Sequence, residues 1–202
     1  MKDFRKYKIT YILMTICVIM YAISTVLYGI EMSASDALRF FGYNPVYVYY
    51  FKQYYRIITA NFIHFGIFHI VVNCYSLYNV GTFVERVLDT VDYIIVIVAS
   101  LLCTNGIPYI LYLFTGFGAT SVSGGISGVI FGLLGCIAAL ALVVGGGFED
   151  VFSSILPSII LMLILSVTMS SISLSGHVCG MIGGFVSTYI ILQVKKNLRY
   201  RN

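Results

Sequence analysis

Three short clusters carry side chains able to do chemistry in a chain that is otherwise strongly apolar: His64, His69 and Asn73; Gly125-Ile126-Ser127-Gly128; and Gly176-His177. A serine hydroxyl is a poor nucleophile until a neighbouring base takes its proton, and histidine is the commonest such base. Ser127 follows a Gly-rich turn and opens an apolar run, which places it at a helix N-terminus. Unpaired backbone N–H groups there point toward developing negative charge, as an oxyanion requires. His69 and Asn73 are spaced i,i+4, share one helix face and can both donate hydrogen bonds to such a charge. His64 lies five residues before His69, well around the helix, and reads as structural. A GxSG alone is weak evidence, because Gly and Ser are ordinary at helix contacts in lipid. A lone intramembrane His is more simply read as bonding a carbonyl. The pairing of Ser127 with His177 is what turns the reading toward acyl transfer.

The elements that must position these residues are membrane helices. Of 202 residues, 59% are hydrophobic and only 10% are charged, too few to clothe a soluble domain of this size. Mean hydropathy is +0.95. Residues 93–148 and 151–194 contain no Asp, Glu, Lys or Arg, and each interval holds two spans at ~20 residues per span. No short alternating strands of the kind that build lipid-spanning barrels are present, so helices satisfy the backbone in lipid. The expected fold is an all-α membrane protein, a bundle of six transmembrane helices in a single domain over 1–202. Its spans are expected at about 9–30, 61–80, 93–113, 126–144, 151–169 and 175–194. The first apolar stretch exceeds a signal-peptide core of ~7–15 residues and is kept as a span. Between the first two spans, residues 31–60 are dense in Phe and Tyr, which suits either a simple interfacial belt or a substrate-facing segment.

Charge sets the orientation. With both termini on one side, that side holds Lys2, Arg5, Lys6, Lys8, Arg86, Lys195, Lys196, Arg199 and Arg201, against Arg39, Lys52 and Arg56 opposite. Nine against three makes both ends cytoplasmic in a multi-pass protein of the cell membrane. The net charge of +4 comes from these end clusters, and no nucleic-acid-reading motif accompanies it. The five cysteines sit in apolar runs without a close pair and read as small hydrophobes. With no HExxH and no carboxylate inside a span, a zinc site built on the histidines is disfavoured and no cofactor is called for.

Topology then aligns the chemistry. The second, fourth and sixth spans run in one direction, and each polar cluster lies in the first part of its span, at one level in the outer half of the bilayer. Gly176, Gly180 and Gly184 make a small-residue ladder on the sixth span, facing Gly128, Gly132 and Gly135 on the fourth. Helices lined with glycine approach closely, and this brings His177 to Ser127. All eight acids fall in tails or loops, so a dyad is favoured over a Ser-His-Asp triad. Phe131, at +4 from Ser127, is the candidate for orienting the imidazole by ring packing.

The set resembles the rhomboid intramembrane serine proteases. His64-Phe-Gly-Ile-Phe-His69-Ile-Val-Val-Asn73, Gly125-Ile-Ser127-Gly128 and Gly176-His177-Val-Cys-Gly180-Met-Ile-Gly-Gly184 agree with that family in order, spacing and span placement. Tyr55-Arg56 is similar to its Trp-Arg loop motif, with Tyr in place of Trp, and Glu85-Arg86 to its cytoplasmic pair. Phe131 stands where some members carry Tyr, and Gly176 where Ala is common. The resemblance implies Ser127 as nucleophile and His177 as general base. His69, Asn73 and the Ser127 N–H would form the oxyanion hole. The substrates would be single-span membrane proteins, with the loop after the first span lying sideways in the outer leaflet and the fifth span gating entry.

Two other functions compete. A catalytically inactive rhomboid-like protein that binds membrane clients usually lacks the Ser or the His, and both are present. A transporter would show internal repeats or several charges within its spans, and neither is found. The residues carry no signature of an oligomeric state. On the gating expectation, shrinking Met169 or Val167 at the outer end of the fifth span should admit transmembrane substrates faster.

Overall fold

A computed structural model describes residues 6–168 and 173–199. Lys2, Arg5, Arg201 and the segment Met169, Ser170, Ser171 and Ile172, on which some of these expectations rest, lie outside the described residues. The described residues are helical without a strand; an isolated antiparallel bridge joins Tyr43 to Ser123. The helices are α1 (Lys8–Tyr28), α2 (Ala34–Phe40), α3 (Pro45–Tyr50), α4 (Arg56–Thr59), α5 (Ile67–Val87), α6 (Thr90–Thr115), α7 (Ser127–Val143), α8 (Gly147–Thr168) and α9 (Leu174–Arg199). Five are long and apolar enough to cross a membrane, and α7 is a shorter apolar helix. The chain is therefore an all-α membrane bundle.

The charges expected in loops explain the first differences from the sequence reading. The loop expected over residues 81–92 is helical through Val87, so the second long helix spans Ile67–Val87 rather than 61–80. Glu85 can lie in that helix because its carboxylate caps another one. It accepts the Ile9 and Thr10 N–H groups, each at 2.9 Å, and the Thr10 hydroxyl at 2.6 Å. These are orphan donors at the start of α1, where negative charge is favoured. Arg86 donates to the Tyr7 hydroxyl from Nε at 2.9 Å. Asp92, in the first turn of α6, is buried and pairs with Lys195 of α9, which also reaches Asp89 at 2.7 Å. That bond and charge hold the exposed Asp89 carboxyl below its usual range.

The aromatic connection folds into three short helices. Asn44 caps α3 through the Val46 and Tyr47 N–H groups, with Pro45 at the first helical position, where its missing N–H costs nothing. Arg56 is the organiser. Buried to 3% exposure, it donates to the Gly42 and Leu38 carbonyls at 2.6 and 2.7 Å and lies over the Tyr47 and Tyr55 rings. The arginine of the Tyr55-Arg56 pair thus pins the loop from inside.

The core is α7. Its apolar residues run all round, and nearly every side chain is buried. It packs most heavily on α9, which also covers α6. The two glycine ladders interlock: a methyl group on Gly180 would overlap the Gly128 carbonyl, one on Gly184 the Gly132 carbonyl, and one on Gly135 the Met181 carbonyl. Backbones this close are possible only without side chains between them. With 17 residues, α7 rises ~25 Å, less than a hydrocarbon core of ~30 Å, so it does not reach both membrane boundaries by itself. In contrast, α8 is the least embedded of the long helices and rests mainly on α7.

Candidate active site

Ser127 is the first residue of α7, and the turn before it is built by Gly125, whose φ of +123° is a conformation that side chains rarely adopt. The Gly125 N–H is tied to the Ala60 carbonyl at 3.0 Å, so the turn is anchored to the end of the aromatic segment. As the opening of a helix, the Ser127 N–H has no carbonyl four residues back to bond. Its Oγ lies 2.9 Å from His177 Nε2. His177, in the first turns of α9, is buried, and Phe131 stacks on its ring at a centroid distance of 4.2 Å and 13° between planes. Phe131 itself is fully buried one turn below Ser127.

From α5, His69 and Asn73 converge on the same turn. A Cβ on Gly125 would stand 2.9 Å from His69 Nε2 and 3.6 Å from Asn73 Nδ2. The Phe65 N–H donates to His69 Nδ1 at 3.4 Å, which makes that nitrogen the acceptor and leaves the proton on Nε2, facing Gly125. The His69 ring also packs parallel to Phe65 and edge-on to His64. His64 is not on the helix, as the spacing implied: α5 begins only after Gly66, and His64 sits in the irregular segment before it, fully buried against His69. Together Ser127, His177 and His69 line a cleft with Asn105 and Ser173.

One neighbour of His177 escaped the sequence reading. Ser166 of α8 places its hydroxyl 2.8 Å from His177 Nδ1 and 2.7 Å from the Met162 carbonyl. A serine in an apolar run ordinarily bonds the carbonyl four residues back, so nothing in the pattern marked this one. The acids are elsewhere: Glu85 and Asp92 are engaged at the opposite ends of α5 and α6.

Comparison with known proteins agrees with the architecture. A family model described as Rhomboid domain matches residues 52–194. Rhomboid protease GlpG of Haemophilus influenzae is 25% identical over 207 residues, covering 98% of each chain. Rhomboid protease GluP of Bacillus subtilis is 29% identical over 134 residues, which is 66% of this chain and 25% of that protein. The match thus spans a quarter of the length of GluP.

Proposed function

The chain belongs to the rhomboid family, and on that premise we propose that it is an intramembrane serine protease hydrolysing peptide bonds in or near the transmembrane segments of single-span membrane proteins. The observation that carries this reading is the 2.9 Å contact of Ser127 Oγ with His177 Nε2 at a cleft that His69 also lines, with Asn73 next to it at Gly125. Ser127 Oγ attacks the scissile carbonyl carbon while its proton passes to His177 Nε2. The carbonyl oxygen becomes an oxyanion, bonded by the Ser127 N–H, His69 Nε2–H and Asn73 Nδ2–H. The intermediate collapses, His177 gives the proton to the leaving amine, and the acyl-enzyme is cleared by water activated in the same way. Phe131 holds the imidazole plane in place of a carboxylate. The whole chain acts as one domain in the cell membrane with both termini cytoplasmic, as its nine-to-three cation asymmetry favours.

The test is direct. Purified protein in detergent or liposomes, given a labelled single-span substrate, should cut it, and a fluorophosphonate should stop the reaction by labelling Ser127. Binding of the substrate without any cleavage would instead fit the client-binding reading.

The oxyanion donors give a graded expectation. Removing one fully used donor costs ~10²–10³ in rate, and three donors share the load here. His69→Ala should lower kcat by about 10², because it loses both the donor and the ring packed on Phe65. Asn73→Ala should lower it less. If kcat is unchanged in both variants, α5 does not serve the reacting carbonyl.

Substrate entry is expected beside α8. Val167, which the sequence reading placed at the gate, is 70% exposed, so shrinking it removes little packing. The restraining contacts come from Ile159, Met162 and Leu163 against the buried Phe131 and Leu134. Met162→Ala or Leu163→Ala should raise cleavage of transmembrane substrates several-fold, and Val167→Ala should not. A cysteine cross-link between α8 and α5 should block these substrates; unchanged cleavage after complete cross-linking refutes lateral entry at α8.

A further inference from the structure

The bonds around His177 can be accounted for proton by proton. Ser166 has one hydroxyl proton and two neighbours in range, the Met162 carbonyl at 2.7 Å and His177 Nδ1 at 2.8 Å. A carbonyl oxygen can only accept, so the Ser166 proton goes to Met162. The Ser166 oxygen is then an acceptor toward His177, and the proton between them belongs to Nδ1. A neutral imidazole with its proton on Nδ1 has its lone pair on Nε2, which faces the Ser127 hydroxyl at 2.9 Å. The opposite tautomer would require Ser166 to abandon Met162 and would set the Nε2 proton against the hydroxyl that must lose one.

We propose that Ser166 is a positioning residue of the reaction: its hydroxyl, held by the Met162 carbonyl, accepts from Nδ1–H of His177 and keeps the imidazole in the tautomer that can take the Ser127 proton. This rests on the Ser127–His177 reading above. It assigns to a neutral side chain the orienting task that a carboxylate performs in a Ser-His-Asp triad, complementing Phe131, which fixes the plane of the ring but not the location of its proton. The location of Ser166 adds a consequence. It stands on α8, the helix with the least packing, so the base is armed while α8 is docked on α7 and loses its acceptor when α8 swings away. Ser166 is 5% exposed, so water does not replace the bond in the docked state.

The measurement compares Ser166→Ala, Ser166→Thr and Ser166→Val in the full chain. Thr and Val have nearly the same shape, and only Thr retains the hydroxyl. The readouts are kcat and KM on a labelled single-span substrate, the rate of fluorophosphonate labelling of Ser127, and Tm. Losing one orienting hydrogen bond should lower kcat and the labelling rate about five- to tenfold in Ala and Val, with KM unchanged. Thr should stay near the wild-type rate. A purely packing role would make Thr and Val alike, whatever their common rate, and that result overturns the proposal even if both are less stable. Wild-type kcat and labelling in Ser166→Val overturn it as well. Loss of activity in Ser127→Ala and His177→Ala, with no difference between the Thr and Val variants, removes Ser166 alone. Activity retained in Ser127→Ala removes the Ser127–His177 reading beneath it.

Discussion

Ser127→Ala is expected to abolish cleavage of a single-span substrate, a fall of about 10⁴-fold or more, while leaving a folded membrane protein. The size follows from the role: without the hydroxyl there is no acyl-enzyme, and what remains is hydrolysis aided only by binding and oxyanion donors. The stability cost is small. The change removes one hydroxyl at the rim of a cleft and one hydrogen bond to His177, worth about 1 kcal/mol net. The backbone turn is held by Gly125 and its bond to Ala60, neither of which depends on the side chain. Substrate cleavage on gels, labelling by a fluorophosphonate and Tm form the measurement. Cleavage at the wild-type rate with Ser127 absent would move the nucleophile elsewhere, Ser123 and Ser175 being the serines to test next.

The second large effect is expected for His177→Ala. Cleavage should fall by about 10⁴-fold, and labelling of Ser127 should slow with it, because the hydroxyl loses the base that takes its proton. Here the fold is less indifferent. Phe131 loses the ring stacked on it at 4.2 Å, and Ser166 loses its partner, so a lower Tm is expected. Labelling of the folded fraction separates this loss from the loss of the base. Truncation leaves a gap of imidazole shape between Phe131 and Ser166, and added imidazole should partly restore labelling in the variant. Labelling at the wild-type rate without imidazole would show that His177 is not the base.

Several features were legible in the chain because they depend on composition and local spacing alone. Charge-free intervals demand membrane helices whatever their neighbours, since a lipid-exposed backbone must satisfy itself within a helix. The glycine ladders marked which two helices would touch, because only small residues allow backbones into contact, and Gly128 against Gly180 and Gly132 against Gly184 are where α7 and α9 meet. Ser127, His177, His69 and Asn73 stood out because polar groups in apolar runs are costly and few. Helix ends were less legible: a charge looks like a loop until its partner is known, and Glu85 in α5 is satisfied by N–H groups of α1 that lie 75 and 76 residues away in the chain.

What the tertiary structure alone decided is the direction of each bond. Whether Arg56 marks a membrane side or holds a loop together depends on where the Leu38 and Gly42 carbonyls are brought. Whether Val167 or Met162 restrains α8 depends on how that helix is rotated about its axis, and the run 159–165 is apolar at every position. Above all, the proton on His177 is placed by Ser166, an unremarked serine on another helix, and no periodicity within one segment can report a contact between two. The sequence by itself determined that this protein is a helical membrane bundle with a few polar groups at one level. Which of those groups donates and which accepts was decided only when α7, α8 and α9 came together, because a hydrogen bond has a direction that depends on its partner and not on spacing along the chain.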